Sequence, residues 1–172
     1  VVADTAPVQS LVSLVMGDLG QPARLLPPGT SPHDAALRPS DAAALAGADV
    51  VIWTGPGLVP MLENPIATLA AGASTLALLH GDGWTALPLR LDPDFDTHDH
   101  GDHADADHDH EDEDHAHGEN GIDPHAWLDP GNGRLWLGLI AAELGRLDPE
   151  HAATYTANAE AAATRLAALD AE

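Results

Sequence analysis

The sequence predicts an α/β fold: a parallel four-stranded sheet flanked by helices. Three observations point there. Short apolar runs recur along the first half, segments of helical spacing separate them, and 172 residues suit one well-buried domain better than two. Strands buried on both faces read as apolar runs rather than alternating ones, and residues 1–3, 23–26, 50–53 and 75–79 offer such apolar clusters, interrupted only by Arg24 and opened by Thr75.

Between the first two runs, Val8, Leu11, Val12, Val15 and Leu19 fall on one helical face, and Gly20 is placed to stop the helix. Pro39-Ser40-Asp41 opens a short helix through Leu45 that ends at Gly47, and residues 58–70 supply the next. The alternation βαβαβαβ calls for helices on both faces of the sheet. Further on, Leu135, Leu137, Leu139, Ile140, Leu144 and Leu147 predict a helix over 132–147. An alanine-rich helix runs from Pro149 to the end, with Ala152, Tyr155, Ala159, Ala162, Leu166 and Leu169 on one face. No glycine or cap follows it, so this last helix is expected to continue past Glu172.

Charge narrows the partners. The chain carries 28 acids against six bases, all arginine, for a formal net charge of -22. Such a surface repels phosphate backbones and anionic lipid and favours cations, so no nucleic-acid partner is expected. Thirteen of the acids lie between Asp92 and Glu119, leaving 15 acids against the six bases elsewhere; the excess is local. No apolar run approaches the roughly 20 residues that cross a bilayer, so direct membrane insertion is not expected. The absence of cysteine excludes disulfides, thiolate zinc sites and a catalytic thiol, and suits an oxidising compartment. The chain opens on Val1-Val2-Ala3 as a strand, with the expectation that a signal peptide has been removed ahead of it.

Three places carry metal-ligand chemistry. In Pro27-Pro28-Gly29-Thr30-Ser31-Pro32-His33-Asp34, prolines on either side hold His33 just after the second strand, where ligands bind in a parallel sheet. A lone histidine in such a turn is ordinarily a hydrogen-bonded surface residue. Asp123-Pro124-His125-Ala126-Trp127-Leu128-Asp129-Pro130 again brackets a histidine with prolines; Trp127 and Leu128 are expected to anchor the turn in the core, and Asp129-Pro130 to start the next helix. The third place is the His/Asp-rich stretch of about 92–120, expected to be a mobile loop. Between 98 and 117 it holds no apolar residue larger than alanine, so it cannot offset its ordering entropy. Its His98, His100, His103, His108, His110, His115 and His117, interleaved with carboxylates, suit many weak, exchangeable zinc sites.

Taken in order, several motifs resemble the zinc-specific solute-binding proteins of ABC importers. They are Pro28-Gly29-Thr30-Ser31-Pro32-His33-Asp34, Leu37-Arg38-Pro39-Ser40-Asp41, Leu45-Ala46-Gly47-Ala48-Asp49-Val50-Val51-Ile52-Trp53, the acidic histidine stretch, and Asp123-Pro124-His125-Ala126-Trp127-Leu128-Asp129-Pro130. The resemblance spans essentially the whole chain and implies one lobe of a two-lobe metal-binding protein. Residues 1–148 would be the amino-terminal lobe and 149–172 the start of the long connecting helix, with the second lobe absent. It further implies Zn2+ as cargo and His33 and His125 as the primary ligands, joined by a histidine and often an acidic residue from the second lobe. The implied setting is the periplasm, with the membrane permease of an ABC importer as partner and a monomeric chain. Members of that family often carry a glutamate in the turn after the third strand; here the turn reads Gly55-Pro56-Gly57-Leu58-Val59, with no carboxylate before Glu63.

Three other functions are compatible with histidines in these positions. A zinc enzyme using His33 and His125 is disfavoured, because no HExxH, nucleophile elbow or paired-carboxylate motif occurs, and no enzyme is expected. A manganese or iron lobe of the same superfamily, with second-lobe carboxylates replacing the third histidine, is the closest alternative. A free-standing zinc buffer acting only through the histidine stretch is the last.

Overall fold

The apolar runs become four short parallel strands, β1 Val2–Ala3, β2 Ala23–Arg24, β3 Val50–Trp53 and β4 Ser74–Ala77. In the computed structural model, which describes residues 1–89 and 121–169, they form one sheet in the order β2-β1-β3-β4. Val2 pairs with Ala23 on one side and Val51 on the other, and Val50 pairs with Ser74. Among the described residues, five α-helices flank the sheet: α1 Ala6–Met16, α2 Pro39–Ala46, α3 Glu63–Leu69, α4 Pro130–Leu147 and α5 Ala152–Leu169. The predicted fold class and the alternation of elements are both found.

The sheet's pleat divides its side chains between two cores. Ala3, Val50 and Ile52 pack with Val8, Val12 and Val15 of α1, Trp136, Leu137 and Ile140 of α4, and Tyr155 and Ala159 of α5. Val2, Val51 and Trp53 face the other way, onto Leu45 of α2, Leu62, and Ile66 of α3. Trp136, Ile140, Leu45, Ile52 and Leu62 are fully buried. Burial on this scale stabilises the fold by about 1.5–3 kcal/mol for each large apolar side chain.

Several boundaries differ from the sequence reading: β2 ends at Arg24 and β4 at Ala77, α4 begins at Pro130, and α5 follows a 3-10 turn, Pro149–His151. α1 stops at Met16 rather than running to Gly20, because Gly17 takes a left-handed φ of 55° and its N–H bonds the Ser13 carbonyl. A 3-10 turn over Gly17–Leu19 then completes the segment. A Cβ at Gly17 would lie 2.8 Å from Asn158 Nδ2, so a side chain there would push aside the amide that donates to the Val15 carbonyl. The helix expected over 58–70 is split into a 3-10 turn, Pro60–Leu62, followed by α3.

The strand order turns back between β1 and β3, the point where doubly wound sheets bind ligands beyond the carboxyl ends of the strands. Asp4 ties these two ends together. Its Oδ2 accepts the Thr54 N–H at 2.7 Å, and its Oδ1 accepts the Thr5 N–H at 2.6 Å and the Thr5 hydroxyl at 3.1 Å. The carboxyl is fully buried, and loss of solvent raises its pKa against the lowering pull of those donors.

Candidate metal centre

The first histidine loop leaves the sheet as a continuation of β2. Leu25 N–H bonds the Ala3 carbonyl and Leu26 N–H the Asp4 carbonyl, and both leucines are buried. The chain then turns through Pro27-Pro28-Gly29, where Gly29 has a φ of 77° and Thr30 N–H returns to the Pro27 carbonyl. Arg38 closes the loop's base. Its guanidinium reaches back 3.4 Å to the Leu25 carbonyl while holding both Asp41 oxygens at 2.8 Å. His33 stands at the exposed far side of this closed loop.

The second loop enters through a backbone pairing of Pro88 with Ile122, in which Asp123 N–H bonds the Leu87 carbonyl at 2.9 Å. It leaves through a 3-10 turn, Ala126–Leu128, into α4, whose N-cap Asp129 accepts the Gly131 N–H at 2.6 Å. A side chain at Gly57 would touch Pro124, which places the turn after β3 directly against this loop. In that turn Leu58 and Val59 are buried, and Glu63 is exposed at the start of α3.

The two loops bring His33 and His125 together. Their Nε2 atoms lie 3.4 Å apart, with ring centroids 5.4 Å apart and planes at 66°. Two zinc–imidazole bonds of about 2.0–2.1 Å at a tetrahedral angle separate their nitrogens by about 3.3–3.4 Å. The pair therefore stands at the bite distance of a single ion. Asp123 Oδ1 accepts both the His125 Nδ1 proton at 2.7 Å and the His125 backbone N–H at 2.9 Å. A carboxylate on Nδ1 fixes the tautomer and directs the Nε2 lone pair toward His33.

Sequence reasoning passed over Asp123. The available signal was its position two residues before His125, where a short acidic side chain folds back on the chain. The expected anchoring by Trp127 and Leu128 is not what the structure shows: they are 36% and 65% exposed. Their 3-10 turn directs the small Ala126 inward instead, and Pro124 is buried beside it. Among the described residues, no group of three or more His, Cys, Asp or Glu side chains is placed to hold a metal. His98, His100, His103, His108, His110, His115 and His117 lie outside the described residues. Among the described residues, no helix is long and apolar enough to cross a membrane.

Comparison with known proteins gives this geometry its family. Residues 1–172 match the family described as "ZnuA: Zinc-uptake complex component A periplasmic". The high-affinity zinc uptake system protein ZnuA of Paracoccus denitrificans is 47% identical over 185 residues, covering all of this chain and 55% of that protein. Its Brucella abortus counterpart is 41% identical over 189 residues, covering all of this chain and 56% of that protein. The chain spans about half the length of the curated relatives it matches. Among solved structures, the solute-binding protein FpvC of Pseudomonas aeruginosa in complex with Mn2+ superposes with a TM-score of 0.75 at 27% identity, over 99% of this chain and 54% of that one. Zn(II)-bound AdcA of Streptococcus pneumoniae shares the fold, with a TM-score of 0.72 at 22% identity, over 98% of this chain and 30% of that one. On the match over its whole length, the chain belongs to the ZnuA family of periplasmic zinc-uptake components.

Proposed function

We propose that this chain is the amino-terminal lobe of a periplasmic zinc-capturing protein that delivers Zn2+ to the membrane permease of an ABC importer. The observation that carries this is the 3.4 Å separation of His33 and His125 Nε2, a zinc bite, in a chain 47% identical to a zinc uptake protein. Residues 1–148 form the lobe, and 149–172 begin the helix that connects it to a second lobe. That lobe and water supply the remaining ligands. The His/Asp-rich stretch adds weaker sites through His98, His100, His103, His108, His110, His115 and His117. The protein acts as a monomeric carrier and not as an enzyme: the ion is bound, held and handed on.

A manganese or iron carrier is the second reading. It is favoured by the likeness to Mn2+-bound FpvC and by a Yersinia pestis relative named iron-binding protein YfeA, 28% identical over 165 residues. Two imidazoles on one ion suit zinc better than manganese, which prefers oxygen ligands. Competition between Zn2+ and Mn2+ for the site, followed at the His33 and His125 ring resonances, tests this. Zinc should displace manganese at equimolar concentration, and retention of manganese would reverse the assignment.

A further inference from the structure

Asn132 is a polar side chain only 2% exposed, in the first turn of α4. Burying an amide is unfavourable unless its donors and acceptor are all engaged, and here they are. Its Oδ1 accepts the Thr85 N–H at 2.6 Å. Its Nδ2 donates to the Thr85 carbonyl at 3.2 Å and to the Ala126 carbonyl at 3.0 Å.

Those partners lie on the two arms that flank the Asp123–His125 pair. Ala126 is the residue after His125. Thr85 begins the segment that, two residues on, holds Asp123 through the Leu87 carbonyl. One side chain thus ties the segment that pairs with Asp123 to the turn that follows His125. Apolar packing of this turn is confined to Pro124 and Ala126, because Trp127 and Leu128 are exposed and the loop borders a cavity of about 200 Å3 lined by Thr85, Leu87, Asp123, His125 and Asn132.

We propose that Asn132 is a positioning residue for metal capture. By clamping Thr85 and Ala126 it keeps Asp123 on His125 Nδ1 and His125 Nε2 at its bite distance from His33. This rests on the reading of His33 and His125 as zinc ligands. The residue type follows from the geometry: an aspartate of the same size would set an oxygen against the Thr85 and Ala126 carbonyls, and an apolar residue would remove all three bonds, leaving the Ala126 carbonyl with only the Asp129 N–H.

The test compares zinc affinity, followed at the His125 ring resonance, for the 172-residue chain and for Asn132→Ala, Asn132→Asp and Tyr155→Phe, with unfolding stability measured on each. Tyr155 bonds Asp148 at the α4–α5 junction, outside the metal loops, so its variant lowers stability without touching them. Both Asn132 variants should bind zinc roughly 10–100-fold more weakly, the range for losing an outer-shell partner, while Tyr155→Phe keeps the parent affinity. Parent affinity in a folded Asn132 variant overturns the proposal, because the clamp then serves stability alone. A measurement on the unmutated chain covers variants that do not fold: the Asn132 amide resonances should shift as zinc occupies the site, and resonances that stay still would also overturn it. Examining His125→Ala in parallel separates the two ideas, because unchanged affinity there removes the site itself, whereas lost affinity there with parent affinity in Asn132→Ala removes only the positioning role.

Discussion

His33 and His125, 92 positions apart in the chain, place their Nε2 atoms 3.4 Å from each other beyond the carboxyl ends of the strands, and Asp123 holds the far nitrogen of one of them. If the carboxylate orients His125, its loss should act on the metal and not on the fold. Asp123→Ala should weaken zinc binding roughly 10–100-fold with little change in unfolding midpoint. Asp123→Asn, which keeps an acceptor oxygen for Nδ1–H, should lose less. Calorimetric titration of both variants checks the order, and equal losses would mean that the charge matters more than the hydrogen bond.

The Arg38–Asp41 contact predicts an acid-side stability change. The guanidinium's hydrogen bonds hold the Asp41 carboxyl below its ordinary pKa, outweighing the opposing effect of its burial. A depressed folded-state pKa contributes stability that is present above the unfolded value and is lost as pH falls through the folded one. Arg38→Ala should therefore be less stable than the parent at neutral pH, and the gap should close as pH drops below about 4. Denaturant melts across that range measure it; a gap that stays constant with pH would show that the arginine acts through packing alone.

Asp4 carries the opposite sign. Burial raises its pKa above the ordinary 3.8, so the folded state retains a proton that the unfolded chain releases, and stability falls as pH rises from that value toward the raised one. Asp4→Asn should remove this slope. Asp4→Ala should destabilise the chain at every pH, since Thr5 and Thr54 N–H then lie buried without an acceptor, at about 1–3 kcal/mol each. Urea unfolding of both variants separates the charge from the hydrogen bonds.

At Gly17, alanine would meet both a left-handed φ of 55° and the Asn158 amide. Gly17→Ala should cost about 1–3 kcal/mol of stability and leave zinc affinity unchanged. A thermal melt matching the parent would mean that the Asn158 amide swings aside without cost.

The sequence made the sheet and its helices legible because burial writes a strong pattern: Val50–Trp53 is an unbroken apolar run, and it is β3 to the residue. Boundaries set by a local conformation were harder to read. Gly17 and Gly20 are both plausible stops for α1, and the backbone that Gly17 takes on folding, with a φ of 55° and its N–H on the Ser13 carbonyl, decides between them. In the site, the two proline-bracketed histidines stood out by residue type and strand-end placement. Their supporting groups did not. Asp123 and Asn132 act through partners that the chain brings together only on folding, one through a bond to the histidine ring and the other across 47 positions to Thr85. Trp127 and Leu128 misled because large apolar residues next to a ligand suggest an anchor, whereas the 3-10 turn gives that place to Ala126.

The central claim is that His33 and His125 together take the first zinc. Its most direct test is the affinity of the tightest zinc-binding step, measured by chelator competition on the 172-residue chain and on the His33→Ala/His125→Ala double variant, with all histidines between 98 and 117 intact. The account predicts that the double variant loses this step and keeps only weak, multiple binding. A double variant that binds its first zinc as tightly as the parent would contradict it and move capture to the histidine-rich stretch.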